Sequence, residues 1–219
     1  MSTQPLFDFL SYAGLFLQCI LVILLLLRGS FRKYPLILAY CVIQLILTAC
    51  EYHYIRSTHY VTLYWTDEIV LNLLLFLMVI AFTYRALGDS PLRSAMGKVL
   101  TAVCVIVMAL PFVIFKGPPF QSTQWFNHTS QLLSFGAAIL NLGLWSALVA
   151  NRKRDPQLLA VSTGLGIAVT GAAISYGVRG YLAANHLWIP DAFMGLTFMA
   201  SMVIWCWAFR PRAMPLASL

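Results

Sequence analysis

Apolar residues in this chain come in long, nearly unbroken runs, with polar residues clustered between them. A membrane-crossing helix needs about 20 mostly apolar residues. Seven stretches qualify, roughly 6–27, 34–53, 63–86, 97–115, 129–150, 157–179 and 188–209. The breaks carry helix-ending chemistry. Arg28-Gly-Ser-Phe-Arg-Lys33 separates the first two runs, and Gly88-Asp-Ser-Pro91 follows the third. Lys116-Gly-Pro-Pro119 follows the fourth, and Asn151-Arg-Lys-Arg-Asp-Pro156 separates the fifth from the sixth. Lipid leaves no unpaired backbone group satisfied, so runs this long are expected to be α-helices. The pattern predicts an all-α fold, with residues 1–219 forming a single domain that is a polytopic seven-transmembrane helix bundle. The first run lacks a basic leader and exceeds a signal peptide's apolar segment, so it reads as a retained helix.

Composition narrows the class. Hydrophobic residues make up 61% of the chain and charged residues 10%. A soluble domain carries roughly 25% charged residues, so a water-soluble globule is excluded. Disorder is excluded as well, since it requires low hydrophobicity and high charge. The bilayer itself is thus the first expected partner. The five cysteines, Cys19, Cys41, Cys50, Cys104 and Cys206, all fall within predicted spans. They read as packing residues rather than a disulfide framework.

Charge gives an orientation. Arg28, Arg32, Lys33, Arg85, Arg93, Lys98, Arg152, Lys153, Arg154, Arg210 and Arg212 fall after the odd-numbered spans, eleven of the fourteen Lys and Arg residues. Arg56, Lys116 and Arg179 fall on the other side. The positive-inside rule predicts an N-terminus outside and a C-terminus in the cytoplasm of a plasma (bacterial inner) membrane. This asymmetry accounts for the net charge of +7. No basic run interleaved with aromatics appears, so no nucleic-acid partner is expected.

The spans also repeat. Leu10-Ser11-Tyr12 followed by Leu17-Gln18 matches Leu133-Ser134-Phe135 followed by Leu140-Asn141, at an offset of 123. Asp67 precedes Met78-Val79-Ile80 as Asp191 precedes Met202-Val203-Ile204, at an offset of 124. Trp65 and Trp188 stand just ahead of these acids, and Pro35 and Pro156 open the second and sixth spans. The sequence predicts two parallel triplets, about 6–86 and 129–209, joined by a linker helix at 97–115.

This 3+1+3 plan resembles the broad group that includes SWEET-type sugar transporters, microbial rhodopsins and, more loosely, seven-helix receptors. The likeness covers the whole chain and rests on architecture. Span seven has no lysine for a retinal Schiff base and no Asn-Pro pair, and Pro156-Gln157 stands at a helix start rather than within a helix. The SWEET-like pattern implies paired asparagines on spans three and seven. Here Asn72 is present, while its repeat equivalent is Leu196. The Tyr34-Pro35 and Tyr64-Trp65-x-x-Glu68 openings are similar to those of an uncharacterised group of bacterial seven-helix membrane proteins, a resemblance that implies no function.

Polar residues inside spans are costly and tend to face a bundle interior. Helical spacing aligns Asp8, Ser11, Leu15 and Gln18 on span one, and Tyr40, Gln44, Thr48 and Glu51 on span two. It likewise aligns Trp65, Glu68 and Asn72 on span three. On span five the stripe is His128, Gln131, Ser134, Ala138, Asn141 and Trp145; on span six it is Gly164, Ala168, Gly171, Ser175 and Arg179. The acids Glu51, Asp67, Glu68 and Asp191 gather toward one end, with few polar groups toward the other. The sequence predicts an outward-facing polar vestibule above an apolar floor. Its candidate ligand-binding residues are Glu51, Asp67, Glu68, Asn72, His128, Gln131, Asn141, Ser175, Arg179 and Asp191. Arg179 is expected to pair with Asp67, Glu68 or Asp191.

The four histidines, His53, His59, His128 and His186, show no i, i+3 or i+4 pairing, so neither a metal nor haem is expected, and no other cofactor. Asn127-His128-Thr129 fits a glycosylation sequon, relevant only in a eukaryotic secretory pathway. No HExxH, no GxSxG and no intramembrane Asp or His pair at catalytic spacing points to an enzyme. The expected function is a small-ligand binding or sensory module, or an accessory subunit that meets a membrane or cytoplasmic protein partner. The alternative is a small-solute transporter of 3+1+3 architecture.

Overall fold

A computed structural model describes residues 4–54, 60–86, 93–115, 123–150, 155–179, 181–182 and 186–210. They form α1 (Gln4–Leu27), a short 3-10 turn (Ser30–Arg32), α2 (Pro35–Tyr54), α3 (Tyr60–Ala86), α4 (Arg93–Ile114), α5 (Thr123–Ala150), α6 (Pro156–Arg179) and α7 (Trp188–Ala208). All seven α-helices are long and apolar enough to cross a membrane. The fold is all-helical, as the hydropathy pattern predicts for a multi-pass membrane protein. Arg56, His59, Lys116, Arg152, Lys153, Arg154 and Arg212 lie outside the described residues.

Local chemistry sets the helix ends. Gly29, at φ +62°, takes the left-handed conformation that turns the chain out of α1 and into the 3-10 turn. At the start of α6, Asp155 Oδ1 accepts hydrogen bonds from the Gln157 and Leu158 backbone N–H groups at 3.0 and 3.1 Å, a side-chain N-cap. Pro156 then takes the first helical position, where its missing N–H is harmless. Two helices run further than hydropathy suggests. α5 begins at Thr123 and α4 at Arg93, each ahead of its apolar run. Their polar first turns, Thr123-Gln-Trp-Phe-Asn-His128 and Arg93-Ser94, continue the helix without the apolarity by which a span is recognised.

Sequential helices pack as neighbours, and α1·α7 and α3·α5 contacts close a ring of α1, α2, α3, α5, α6 and α7. α6 also reaches α3 across the ring. α6 is the most enclosed helix, with 61% of its spanning window buried, against 11% for α4, which packs on the outside against α3 and α5. Small residues explain the placement of α6. An added Cβ on Gly164 would lie 2.6 Å from Trp205 Nε1, and one on Gly171 would lie 2.5 Å from Thr197 Cβ. The Trp205 and Thr197 side chains of α7 thus occupy the space that side chains on α6 would need. Trp205 is fully buried there, donating its indole N–H to the Val161 carbonyl at 2.9 Å.

The bundle has two chemically distinct ends. The end containing the α2–α3 and α6–α7 connections carries Glu51, Asp67, Glu68, Arg179 and Asp191; we call it the acidic end. The opposite, basic end carries Arg28, Arg32, Lys33, Arg85, Lys98 and Arg210 among the described residues. Toward the basic end the interior is filled by apolar side chains, including Leu21, Leu25, Ile37, Phe76, Phe82, Leu144, Val161 and Phe209. At the basic end, Lys33 Nζ meets Asp155 Oδ2 at 3.2 Å and Gln157 Oε1 at 3.3 Å. Arg85 donates to the Lys33 carbonyl at 2.7 Å and lies over the Tyr34 ring at 4.8 Å. Tyr34 is fully buried between Phe82 and Phe209. Burial and the nearby Asp155 charge push its hydroxyl up to about 12, against the pull of Arg85.

Candidate functional site

The site is built where α2, α3, α5, α6 and α7 converge at the acidic end. Four of the hydrogen-bonding groups form a chain with one sense. Ser134 Oγ on α5 donates to Asn72 Oδ1 on α3 at 2.9 Å, and Asn72 Nδ2 donates to the Tyr176 hydroxyl on α6 at 3.1 Å. The Tyr176 hydroxyl in turn donates to Glu68 Oε2 on α3. Ser134, Asn72 and Tyr176 are at most 5% exposed. Every step points its proton toward the Glu68 carboxyl, so three helices are tied together and their dipoles converge on one acidic group.

Arg179 ends the α6 stripe and turns onto Asp191 of α7, with Nε and Nη2 at 3.1 and 2.5 Å from the same carboxylate oxygen. Its side chain is only 14% exposed, so it faces the bundle rather than the lipid, and the expected pairing is met by Asp191. Its guanidinium lies 5.3 Å over the Tyr176 ring. The Tyr64 hydroxyl lies within hydrogen-bonding reach of both Glu68 and Arg179. One residue before Glu68, Asp67 turns toward α2 and lies within hydrogen-bonding reach of Glu51. Asp67 is 9% exposed. Glu51 Oε1 and Asp67 Oδ1 are buried, and no N–H or hydroxyl group of another described residue reaches either one. A third buried oxygen without a partner, Ser130 Oγ, stands one turn from Ser134 on α5.

The candidate residues divide into those brought together and those left apart. Glu51, Asp67, Glu68, Asn72, Arg179 and Asp191 share the cluster. Ser175 sits beside it and donates to the Pro190 carbonyl at 2.9 Å, fixing the start of α7 against α6. Gln131 is half-buried between α5 and α6, with its amide nitrogen 3.9 Å from where a Gly177 Cβ would stand. His128 lies elsewhere, exposed and stacked on the Phe115 ring at 4.8 Å. Asn141 is buried far down α5, its amide nitrogen 2.5 Å from the Cβ position of Gly166, and its Oδ1 has no partner. On α1, Asp8 and Ser11 are exposed and only Gln18 of the stripe is buried. Gln18 donates to the Cys41 carbonyl and to Gln44 Oε1, each at 3.0 Å.

Helical drift explains these departures. A stripe stepped by three and four residues follows one neighbour for about two turns and then rotates away, so both ends of the α5 stripe leave the interior. Tyr176 and Tyr64 are the cluster members that the stripes pass over. The available signal was spacing: Tyr176 lies three residues before Arg179 on the small-residue helix, and Tyr64 lies one turn before Glu68. Among the described residues, no group of three or more His, Cys, Asp or Glu side chains is arranged to hold a metal ion. Comparison with family models, with curated proteins and with solved structures gives no match.

Proposed function

We propose that this chain is an integral membrane protein whose polar cluster faces outward and binds a small cationic ligand. In this reading it is a binding or sensory module, or an accessory subunit of a membrane complex, without a catalytic step of its own. The charge balance of the cluster carries the reading. Glu51, Asp67, Glu68 and Asp191 gather at the acidic end, where Arg179, paired with Asp191, is the one Lys or Arg among the described residues. Two of the carboxyl oxygens, on Glu51 and Asp67, are buried with no N–H or hydroxyl partner from another described residue. Buried anionic charge is strongly unfavourable until it is paired, and a ligand cation or a proton supplies the missing partner. The basic residues at the opposite end support an N-out orientation in a bacterial inner membrane, which opens the acidic end to the outside.

Intrinsic tryptophan fluorescence of the purified protein in micelles tests the ligand class through thermal unfolding. The probes are ammonium, methylammonium and choline chlorides, with sodium chloride as the ionic-strength control. One of the amines should raise Tm saturably, by an amount equivalent to about 2.7 kcal/mol at a hundredfold excess over Kd. Asp67→Asn should remove the effect. No saturable shift with any amine, or an equal shift in Asp67→Asn, overturns the reading. A C-terminal reporter active only in the periplasm would overturn the orientation.

A second reading, a rocking transporter of 3+1+3 plan, has specific support. Gln18 of α1 reaches α2, and Asn141, 123 residues later on α5, reaches α6. The α3·α5 and α7·α1 contacts correspond under the same repeat. Breakable polar contacts join the two triplets at both ends, Lys33–Asp155 at one and Glu68–Tyr176 at the other. Alternating access needs such contacts. Flux of the bound cation across proteoliposomes would select this reading over the first.

A further inference from the structure

A groove of a different character lies away from the cluster. It is a lateral opening of about 1450 Å³ between the second half of α3 and the first half of α4, lined by residues that include Ile80, Tyr84, Ser94, Lys98, Val105 and Ile106. Gly97 shapes its wall, since an added Cβ there would lie 3.3 Å from the Tyr84 ring. Both flanking helices are membrane-spanning, so the opening faces the acyl region and not a water-filled interior. Its chemistry is graded along the axis. Ser94 and Lys98 stand at the basic end, both exposed, and Val105 and Ile106 lie deeper, 61% and 57% exposed. The rise from Lys98 to Ile106 is about 12 Å along the helix. The Thr101 hydroxyl between them is already bonded to the Gly97 carbonyl, leaving the wall deeper than Lys98 effectively apolar.

We propose that this groove is a binding site for an anionic glycerophospholipid, with its headgroup phosphate at Lys98 and an acyl chain along Val105 and Ile106. Charge complementarity selects the occupant. Lys98 makes no ion pair with any described carboxylate, since the two ion pairs among the described residues use Lys33–Asp155 and Arg179–Asp191. Lys98 is exposed near the start of α4, so its ammonium can reach a headgroup phosphate while its stem lies along the apolar wall. The same end carries Arg28, Arg32, Lys33, Arg85 and Arg210, which raise the local positive potential. An apolar helix from a partner protein would match the deeper wall but would offer no anion to Lys98. Basic pockets between transmembrane helices are recognised sites for anionic headgroups.

Native mass spectrometry of the full chain, released from micelles containing phosphatidylglycerol or phosphatidylcholine of identical acyl chains, tests the proposal. One phosphatidylglycerol should be retained per chain, preferred roughly fivefold over phosphatidylcholine, the factor expected for one basic side chain at the headgroup level. Lys98→Gln should abolish the preference. Arg32→Gln, which removes an exposed charge at the same end but outside the groove, should keep it. Ala102→Trp fills the groove from an exposed position and should lower retention of both lipids. Equal retention of the two lipids overturns the proposal, as do equal losses in Lys98→Gln and Arg32→Gln or unchanged retention in Ala102→Trp. Displacement by glycerol phosphate alone would identify a soluble-phosphate site instead. A dimer that Ala102→Trp dissociates would assign the groove to a second copy of the chain.

Discussion

Tyr176→Phe removes a single oxygen atom from the junction on which the acidic end depends. Tyr176 is 1% exposed, and its hydroxyl donates to Glu68 and accepts from Asn72. Phenylalanine keeps the ring and its place under the Arg179 guanidinium, so no large cavity opens. A neutral hydrogen bond contributes about 0.5–1.5 kcal/mol and one to a charged group about 1.5–3 kcal/mol. Losing one of each would destabilise a soluble protein by about 2–4.5 kcal/mol on that scale. Two features of this site reduce the figure. Asn72 Nδ2 keeps its bond to the Glu68 backbone carbonyl at 2.7 Å, and Glu68 keeps the Tyr64 hydroxyl within reach. Polar contacts between membrane helices also average only about 0.6 kcal/mol, with a maximum near 1.7, because the unfolded chain in lipid finds other partners. The expected loss is therefore about 1–2 kcal/mol, toward the upper part of that membrane range. Reversible unfolding in mixed detergent micelles would measure it, and a double-mutant cycle with Glu68→Gln would isolate the pair. If Tyr176→Phe stays within about 0.3 kcal/mol of the parent, or the cycle shows no coupling beyond the usual error of additivity, the hydrogen-bond chain is not made in the protein.

Three further perturbations separate other parts of the fold. Gly171→Ala should destabilise although alanine favours helix by about 1 kcal/mol, because its methyl meets Thr197; Gly143→Ala, with nothing within 4 Å, should be neutral or stabilising in the same thermal assay. Arg179→Met should lower stability by about 1–3 kcal/mol, below the figure for a fully buried pair because the Asp191 side chain is 40% exposed, and adding Asp191→Leu should recover part of the loss; failure to recover would mean that the ion pair is not what Arg179 contributes. At Asp155, burial alone would raise the carboxyl, but the Leu158 N–H, the Lys33 ammonium and the Gln157 N–H outweigh it and hold the group below the usual carboxylate range. Its folded pKa is lowered, so its contribution is present above the unfolded value of about 3.9 and is lost as pH falls through the lower folded value. Asp155→Asn should flatten that acid limb while keeping the cap, and an unchanged acid limb would refute the assignment.

What could be read from the sequence follows from how each property is encoded. Helix number and class were legible because crossing a bilayer demands a local signal, some twenty apolar residues, that no tertiary contact can replace. The small residues Gly164 and Gly171 were legible as a close-packing face, but that α6 would be the most enclosed helix was not. The pairing of Arg179 was legible as a class of partner, because a cation among small residues must meet an acid or leave the bundle. Which acid it meets was not legible. Asp191 of α7 meets Arg179 on α6, while Asp67 of α3 turns to Glu51 on α2. Which residue an acid meets depends on how each neighbouring helix is rotated about its axis, and helical spacing alone cannot fix that. His128 shows the same limit in reverse, since its spacing placed it on the interior stripe and one further turn of drift placed it on Phe115. Tyr176 was passed over for another reason: an aromatic in an apolar run reads as packing, and only the three-dimensional approach of Glu68 and Asn72 turns its hydroxyl into the junction of the site. Apolar and small residues therefore report burial from the sequence alone. The partner of a buried polar group is instead a property of helix pairs, so the charge balance of the acidic end emerges only after the helices are assembled.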